Sequence, residues 1–539
     1  MPSAVAPPTP ASSLLRSPAR ARGAYYTPSV AATVLAGFAL DGGARRILEP
    51  SMGEGVFVDA LAVEGRRRGV EPDVWGVEID PAAHAATVAR GGLPPERARC
   101  ADFLAVRPFP VDAVVGNPPF VRLRHLPAPQ ARRAAAVAEG ALGVAMDPSG
   151  SVWMPFVLHA TRFLARRGRL ALVLPYDATY VRYARPLWRH LAGCFGDIEV
   201  VRVRQRMFPE LCQDVVLLLA GEHGGTTSHV VFRAYPTLRP PFRQQPSVVA
   251  NLDIPRIVAG ERVFTEALLP AAARRLVAAP GTAAVTAPAR QVADFHIGYV
   301  CGDKRYFHPD AATAARFELP AGSLRATLMS GRSLAGAGLH TSSVAAGRLG
   351  RLWLPPGDPG SLAAGERRYV EAGVGEGVAG RYKCRVRTPW YVTPGVRIPD
   401  VVVPVFTERP VMLINDAGMA ASNSLICGYL RQGHAEGLAA AWFTSLTLLQ
   451  FELEIHALGG GVMVLVPREA GNLRLPLVPT ESAHLSTLDR LLSAGRADEA
   501  FAAGDDAVLR RQLGFAGDDI DVLREAVAVL RWWRTAGRR

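Results

Sequence analysis

The sequence predicts a two-domain α/β protein whose first domain is a doubly wound, parallel sheet. Its 539 residues are too many for one ordinary core. From Arg45 onward, short apolar runs alternate with helical patterns: RRILE, VWGVE, DAVVG, RLALVLP and DVVLLLA. Such alternation is typical of parallel strands joined by helices. After Ala234 a cluster of prolines and arginines, PTLRPPFRQQP, ends the pattern and marks a domain boundary.

These features predict four segments. Residues 1–22 form a disordered tail, 23–235 the α/β domain, 236–480 a mixed or mainly β domain, and 481–539 a short helical tail. The third segment carries short β-like runs such as VVVPVF and GGGVMVLV among Gly and Pro turns. The fourth contains two stretches with apolar residues at helical spacing, STLDRLLSAGRADEAFAAG and DIDVLREAVAVLRWWRTAG.

Composition favours an intracellular protein with a polyanionic partner. The formal net charge is +13, almost wholly from arginine, since Lys304 and Lys383 are the only lysines. The six cysteines are scattered without a C-x-x-C pair, which predicts reduced thiols and no structural metal. The first 22 residues have no continuous apolar core, so we expect neither a signal peptide nor a membrane span there. A cytoplasmic location is therefore predicted.

A nucleoside site is predicted where the first two strands end. In ILEPSMGEGVF, Gly53 and Gly55 allow a sharp strand-to-helix turn that brings backbone close to a ligand. VWGVEID follows, and Glu78 at the strand end suits the two hydroxyls of a ribose, with Asp80 as the alternative. A dinucleotide would use a similar crevice.

The third strand end, CADFLAV, provides Asp102 and Phe103. Asp102 suits the amino group of an adenine and Phe103 the side of its ring. The alternative for Asp102 is a helix cap.

The corner DAVVGNPPFVR predicts a reaction at an amino group conjugated to an aromatic ring. Such a nitrogen is a poor nucleophile because its lone pair is delocalised. The side-chain oxygen of Asn117 and the carbonyl of Pro118 can accept both amino protons and aim the lone pair at a methyl group. Pro118 and Pro119 hold the acceptors rigidly, and Phe120 offers a face on which the base stacks.

Taken in order, these motifs resemble the N6-adenine DNA methyltransferases of the TaqI type. ARGAYYTPSVAATVL, ILEPSMGEGVF, VEIDP, ADF and NPPF follow one another in that family's order and spacing. The resemblance covers residues 23–235 and, more loosely, the remainder. It implies a Rossmann-like domain that uses S-adenosylmethionine, followed by a target-recognition domain, and an adenine flipped out of duplex DNA.

The resemblance also implies residue roles. Thr27, Glu49, Ser51, Gly53 and Gly55 would lie near the methionine part of S-adenosylmethionine. Glu78 would bind the ribose, Ile79 would pack on the adenine, and Asp102 with Phe103 would lie at the adenine edge. RQRMFPELCQDVVLLLA matches the later segment in which Phe208 would form the second wall around the target base. Many relatives have tyrosine where Phe120 stands, but stacking requires only a ring.

The second domain is expected to hold double-stranded DNA. In GRYKCRVRTPWY, Arg381, Lys383, Arg385 and Arg387 occupy every second position, so an extended strand would carry all four on one face. Such a strip suits phosphates but cannot specify a sequence. Charged strands also protect sheet edges, which is the alternative.

No nuclease is expected in this chain. A common restriction-nuclease core needs an acidic residue two places before a lysine, and Lys304 and Lys383 follow Gly302 and Arg381 at that spacing. The segment before residue 23 is also too short for a cleavage domain. These observations predict a modification-only enzyme whose cognate restriction endonuclease would be a separate protein.

Three alternatives stay open. N4-cytosine methylation uses the same amino-group chemistry. Glutamine or RNA methylation also fits an N-P-P-aromatic corner, although those enzymes lack a large basic recognition domain. A DNA-binding specificity subunit with an inactive methyltransferase shell is the alternative from another class.

Overall fold

The computed structural model describes residues 27–208, 214–239, 244–458, 461–479 and 481–535. The predicted tail of residues 1–22 lies outside these ranges, as does the start of ARGAYYTPSV up to Tyr26. Two compact units divide between Leu268 and Leu269. No helix in the described ranges is long and apolar enough to cross a lipid bilayer.

The first unit is built on one nine-stranded sheet in the order β3-β2-β1-β4-β5-β7-β6-β8-β9. Its strands are β1 Arg46–Glu49, β2 Asp73–Glu78, β3 Ala98–Cys100, β4 Val111–Gly116, β5 Leu164–Pro175, β6 Phe195–Val203, β7 Val215–His223, β8 His229–Tyr235 and β9 Val248–Asp253. Its helices are α1 Ser29–Ala39, α2 Val56–Arg68, α3 Pro81–Ala89, α4 Ala128–Leu142, α5 Trp153–Thr161, α6 Arg185–Cys194, α7 Ile254–Ala259 and α8 Val263–Glu266.

Strands β1 to β5 are parallel, and β7 enters antiparallel between β5 and β6. The parallel interpretation of DVVLLLA is therefore wrong for that strand, while the α/β fold class is confirmed. The sequence does not distinguish the two strand directions, because a strand buried on both faces is equally apolar whether it runs parallel or antiparallel to its neighbours. One core cluster joins α1 and α2 to the apolar faces of these strands.

The first unit continues past the predicted boundary at residue 235. β8 ends at Tyr235 and pairs with β6, and β9, which follows the proline cluster, pairs with β8, so the sheet gains one strand beyond the predicted boundary. The segment PTLRPPFRQQP is thus a connection within the sheet, of which residues 240–243 lie outside the described ranges.

The second unit, Leu269–Thr535, is mixed, and the residues described in it form four small sheets. Its strands are β10 Ala287–Pro288, β11 Ala293–Ile297, β12 Leu324–Leu328, β13 Gly350–Trp353, β14 Val401–Pro404, β15 Phe406–Thr407, β16 Leu413–Ile414, β17 Ala420–Ala421, β18 Leu425–Leu430, β19 His456–Ala457, β20 Met463–Val464 and β21 Arg474–Leu475. Its helices are α9 Ala271–Ala278, α10 Pro280–Ala284, α11 Lys304–Phe307, α12 Ala311–Arg316, α13 Ala364–Gly375, α14 Tyr382–Arg385, α15 Ala435–Trp442, α16 Ser445–Glu454, α17 Pro467–Asn472, α18 Ser482–Ser493, α19 Ala497–Gly504 and α20 Gly517–Arg534.

The helical tail is present, and it folds as part of this unit. Buried Arg534 at the end of α20 donates from Nε to Glu452 of α16 at 2.8 Å. An apolar face of α20 is covered as well, since Ile520, Leu523 and Leu530 are buried. Residues 481–535 therefore complete the core of the second unit instead of forming a separate segment.

The extended strand predicted for residues 381–387 is wrong. The chain forms the short helix α14 there, and Cys384 turns inward and is fully buried. Alternation of arginines with apolar residues is a period-two pattern, but over so few residues it also fits one helical turn followed by a loop. The four cations consequently do not share one strand face.

Candidate active site

The predicted catalytic corner lies directly after β4, where Asn117 follows Gly116. The Asn117 side chain donates from Nδ2 to Thr27 Oγ1 at 3.2 Å, and the Asn117 main-chain oxygen accepts from Ser51 Oγ at 3.0 Å. Asn117 Oδ1 is buried and has no hydrogen-bond partner. The amide is thus held by its donor end, while its acceptor is left unused in a place that water does not reach.

The rest of the corner combines rigidity with a partly open ring. Pro118 is buried, and none of the described residues donates a hydrogen bond to its carbonyl. Phe120 is half-buried and packs against the core cluster of the first unit. Phe208 belongs to the same cluster and is only 4% exposed, so its ring is covered in this structure.

The glycine-rich turn between β1 and α2 needs glycine at two positions. Gly53 and Gly55 have φ of +49° and +78°, in the left-handed region. A Cβ on Gly55 would lie 2.3 Å from Arg90 Nη2. Arg90 Nη2 donates to the Glu54 carbonyl at 2.7 Å, and Thr87 Oγ1 donates to the Gly53 carbonyl at 3.0 Å. Thr87 and Arg90, which carry no sequence motif, therefore fix the turn from α3 and the residue after it.

Glu78 ties this turn to the end of β2. Its Oε2 accepts from Gly53 N and its Oε1 accepts from Asp80 N, both at 2.8 Å. Asp80 instead accepts from Ala82 N at 2.9 Å as the N-cap of α3. Glu78 is therefore the carboxylate that lies against the turn, and each of its oxygens keeps a second lone pair for a ligand hydroxyl.

Glu49, at the end of β1, is a buried carboxyl with an unfilled hydrogen-bonding site. It is 1% exposed, and its Oε2 has no partner. Burial raises the pKa of Glu49 well above its ordinary value, and the nearby Glu78 carboxylate raises it further. A cationic group beside Glu49 would satisfy the oxygen and stabilise its charge.

The end of β3 presents Asp102 in a polar setting. Its Oδ1 accepts from Leu104 N at 3.0 Å, as the N-cap of a single 3₁₀ turn, and its Oδ2 accepts from Arg133 Nη1 at 2.6 Å. The cap interpretation of Asp102 is thus realised. Arg133 on α4, which the sequence does not point to, adds a charge-assisted bond that orients the carboxylate.

Of the two apolar residues expected near an adenine, one is open and one is covered. Ile79 is 46% exposed, which is unusual for isoleucine and leaves its side chain available at the strand edge. Phe103 is 2% exposed and packs against Phe156, His159 and Phe163. Phe103 therefore packs in the core beside α5 and does not line an exposed surface.

These residues meet for one topological reason. Glu49, Glu78, Asp102 and Asn117 each follow or end one of four neighbouring parallel strands. The carboxyl ends of such strands form one edge of the sheet, which is where ligands bind in open α/β folds. Among the described residues, no group of three or more His, Cys, Asp or Glu is arranged to hold a metal ion.

The first unit is thus a large mixed α/β sheet whose four neighbouring parallel strands bring these residues to one edge. Residues 261–509 match the family model of the C-terminal domain of the type II methyltransferase M.Eco57I. The chain is thus similar to methyltransferases of restriction-modification systems, which confirms the predicted resemblance at that level.

The chain is similar to several solved structures, one of them with a TM-score above 0.5. The type IIL restriction-modification enzyme MmeI, in complex with DNA, matches over 92% of this chain and 73% of that chain, at 13% identity and a TM-score of 0.53. The type IIG restriction endonuclease BpuSI matches over 96% of this chain and 67% of that one, at 15% identity and a TM-score of 0.45. A class I S-adenosylmethionine-dependent methyltransferase from Listeria monocytogenes matches over 40% and 68%, at 14% identity and a TM-score of 0.34. The chain spans about half the length of the type I methyltransferase subunits that it also matches.

Proposed function

We propose that this chain methylates the exocyclic N6 amino group of adenine at specific sites in duplex DNA, using S-adenosylmethionine. The observation that carries the proposal is the corner at Asn117. A buried amide oxygen without a partner is costly unless a ligand supplies the missing donor. An amino group of a base has two protons to donate, and Asn117 Oδ1 with the Pro118 carbonyl provides two acceptors for them.

The residues of the first unit fit the cofactor. The unpartnered Oε2 of Glu49 suits the ammonium of the methionine part, and the turn at Gly53 and Gly55 leaves backbone bare beside it. Glu78 has lone pairs for the ribose hydroxyls, and exposed Ile79 offers an apolar surface to the adenine. When bound, S-adenosylmethionine supplies an electrophilic methyl group on a sulfonium.

The chain's own residues prepare the nucleophile. Hydrogen bonds from both amino protons draw electron density out of conjugation with the ring and localise the lone pair on nitrogen. Thr27 and Ser51 hold Asn117 from either side, so little reorganisation is needed once the base arrives. Phe120 would stack on the flipped base, an interaction worth about 1–3 kcal/mol. Phe208, now covered, would form the second wall after its ring becomes exposed.

The partner follows from charge and similarity. The net charge of +13 favours a polyanion, and MmeI, which matches most of this chain, is described in complex with DNA. We assign the chain a modification role in the cytoplasm, within a restriction-modification or defence system, with cleavage left to a separate cognate endonuclease. The absence of an acidic residue two places before either lysine supports that division.

The test is product identification. The purified chain is incubated with unmethylated DNA and labelled S-adenosylmethionine, and the DNA is digested to nucleosides for mass spectrometry. We expect N6-methyladenine. If the product were N4-methylcytosine, the amino-group chemistry proposed for the corner would stand, but the target base would be cytosine. Methylated protein or RNA without a DNA product would overturn the proposal, and a chain that binds DNA but not the cofactor would be a specificity subunit.

A further inference from the structure

Helix α14 presents an exposed aromatic ring between two cations. Tyr382 is 64% exposed, which is high for a tyrosine. Lys383 Nζ lies 5.6 Å from the centre of its ring, and Arg385 Cζ lies 5.5 Å away. Among the described residues, neither cation forms an ion pair with a carboxylate. The three side chains form one exposed, cationic and aromatic group, here called the Tyr382 knob.

The flanking Arg381 and Arg387 differ from these two cations, because both bond to other residues of the protein. Arg381 forms an ion pair with the buried carboxylate of Asp303. Arg387 donates from Nη1 to the Cys301 carbonyl at 2.9 Å and from Nη2 to the Val300 carbonyl. These bonds fix both ends of α14 on the segment 300–303.

The inner face of α14 is packed as closely. Cys384 is fully buried, and a Cβ added to Gly302 would lie 2.9 Å from its Sγ. Gly302 also has a φ of +96°, so glycine alone is comfortable there. The helix is therefore clamped on one side, and the knob projects from the other on a rigid support.

We propose that the Tyr382 knob contacts the sugar–phosphate backbone of duplex DNA. Lys383 and Arg385 would each bind a phosphate, and the Tyr382 ring would pack on the deoxyribose between them. This inference rests on the proposed function, since it identifies a DNA contact of the same enzyme. Charge complementarity supports it: two cations that have no ion pair within the described ranges gain a partner from phosphate, and the exposed ring is shielded from water at the same time.

The experiment measures binding of the full chain to a fluorescein-labelled duplex at several sodium chloride concentrations. The double variant Lys383→Gln with Arg385→Gln should reduce the slope of log affinity against log salt by about 1.8, the value for two phosphate contacts. Tyr382→Ala should weaken binding roughly fivefold and leave the slope unchanged. Tyr382→Phe keeps the ring and should bind like the wild type.

A matched control removes the same charge elsewhere in the second unit. Arg325 on β12 and Arg351 on β13 are exposed, and the double variant Arg325→Gln with Arg351→Gln should change the slope much less. If both double variants reduced the salt slope equally, the effect would come from net charge and not from the Tyr382 knob, and the inference would be overturned. Wild-type affinity and slope in the knob variants would overturn it as well.

The product assay separates this inference from the proposed function. If the wild type forms N6-methyladenine and the knob variants bind DNA unchanged, only the knob assignment fails. If the wild type neither binds duplex nor methylates it, both fail. Because the three side chains are exposed, the variants should melt like the wild type, which confirms that any lost affinity is local.

Discussion

The sheet edge of the first unit and helix α14 of the second use charged and polar residues in contrasting ways. At the sheet edge, Glu49, Glu78, Asp102 and Asn117 each end a strand or follow one, so the strand order fixes their positions. At α14, two of the four alternating cations bond to the rest of the protein, and the other two form no ion pair with any residue that the structure describes. Strand order thus brings strand-end side chains to one edge of the sheet, whereas alternation over a few residues does not reveal which of them bond to the rest of the protein.

The largest expected effect is at the sheet edge. Asn117→Ala removes the proposed acceptor of an amino proton of the base, and should lower methyl transfer by about 10²–10³-fold, as for other preorganised groups. Cofactor binding should change little. Methyl transfer to DNA under single-turnover conditions measures the loss. Asn251→Ala, on exposed β9 of the same sheet, is the control; activity of Asn117→Ala within severalfold of wild type would contradict the lone-pair mechanism.

Phe120 should show the next largest effect. Phe120→Ala removes a stacking face worth about 1–3 kcal/mol, which corresponds to roughly 5- to 150-fold in activity. Phe120→Tyr keeps the ring and should remain active. Comparing kcat/KM of the two variants checks this, and equal losses would show that packing, not stacking, is the role of the ring.

In the second unit, Arg387 should affect folding stability and not DNA binding. Arg387→Ala removes charge-assisted hydrogen bonds to two main-chain carbonyls and should destabilise the second unit by about 1.5–3 kcal/mol. The salt dependence of DNA binding should stay that of the wild type. Thermal melting and DNA titration test both points; an unchanged melting temperature with a reduced salt slope would return Arg387 to the DNA surface.

The smallest effect concerns Glu49 and pH. Its pKa is raised in the folded chain, so its ionisation opposes folding, and stability falls as pH rises from the ordinary carboxyl range through the folded pKa. Glu49→Gln removes this dependence. The melting temperature of the variant should therefore exceed that of the wild type at pH 8, by roughly 2–4 °C per kcal/mol, and by less at pH 5.5. A difference in melting temperature between variant and wild type that becomes smaller as pH rises would contradict a raised pKa of Glu49.

The sheet-edge motifs were predictable because they combine local signals. An apolar run, a turn residue and a polar strand end occur within ten positions in ILEPSMGEGVF, VWGVEID and DAVVGNPPF. The place of β9 in the same sheet was not predictable, because the proline cluster that precedes it looks like a linker between domains. Sequence alone also cannot show that Phe103 turns into the core, since a strand-end aromatic can face either way.

The supporting contacts were equally invisible. Arg133 reaches Asp102 across 31 positions, and Thr87 reaches Gly53 across 34. Arginines are abundant in this chain, and nothing in their local pattern separates Arg387, bonded to main chain, from Arg385, which is exposed. Which residues form a hydrogen bond across a long sequence separation depends on how the chain packs, and the periodicity of the sequence does not contain that information.

The bond between Thr27 and Asn117 has one more consequence. An amide carries an acceptor at one end and a donor at the other, and a half-turn about its last torsion exchanges them. Thr27 Oγ1 accepts from Nδ2 at 3.2 Å, although 90 positions separate the two residues. In this orientation the Oδ1 end of the amide is left for a donor from outside the protein. A residue that precedes the first helix thereby helps to position the side chain that follows the fourth strand.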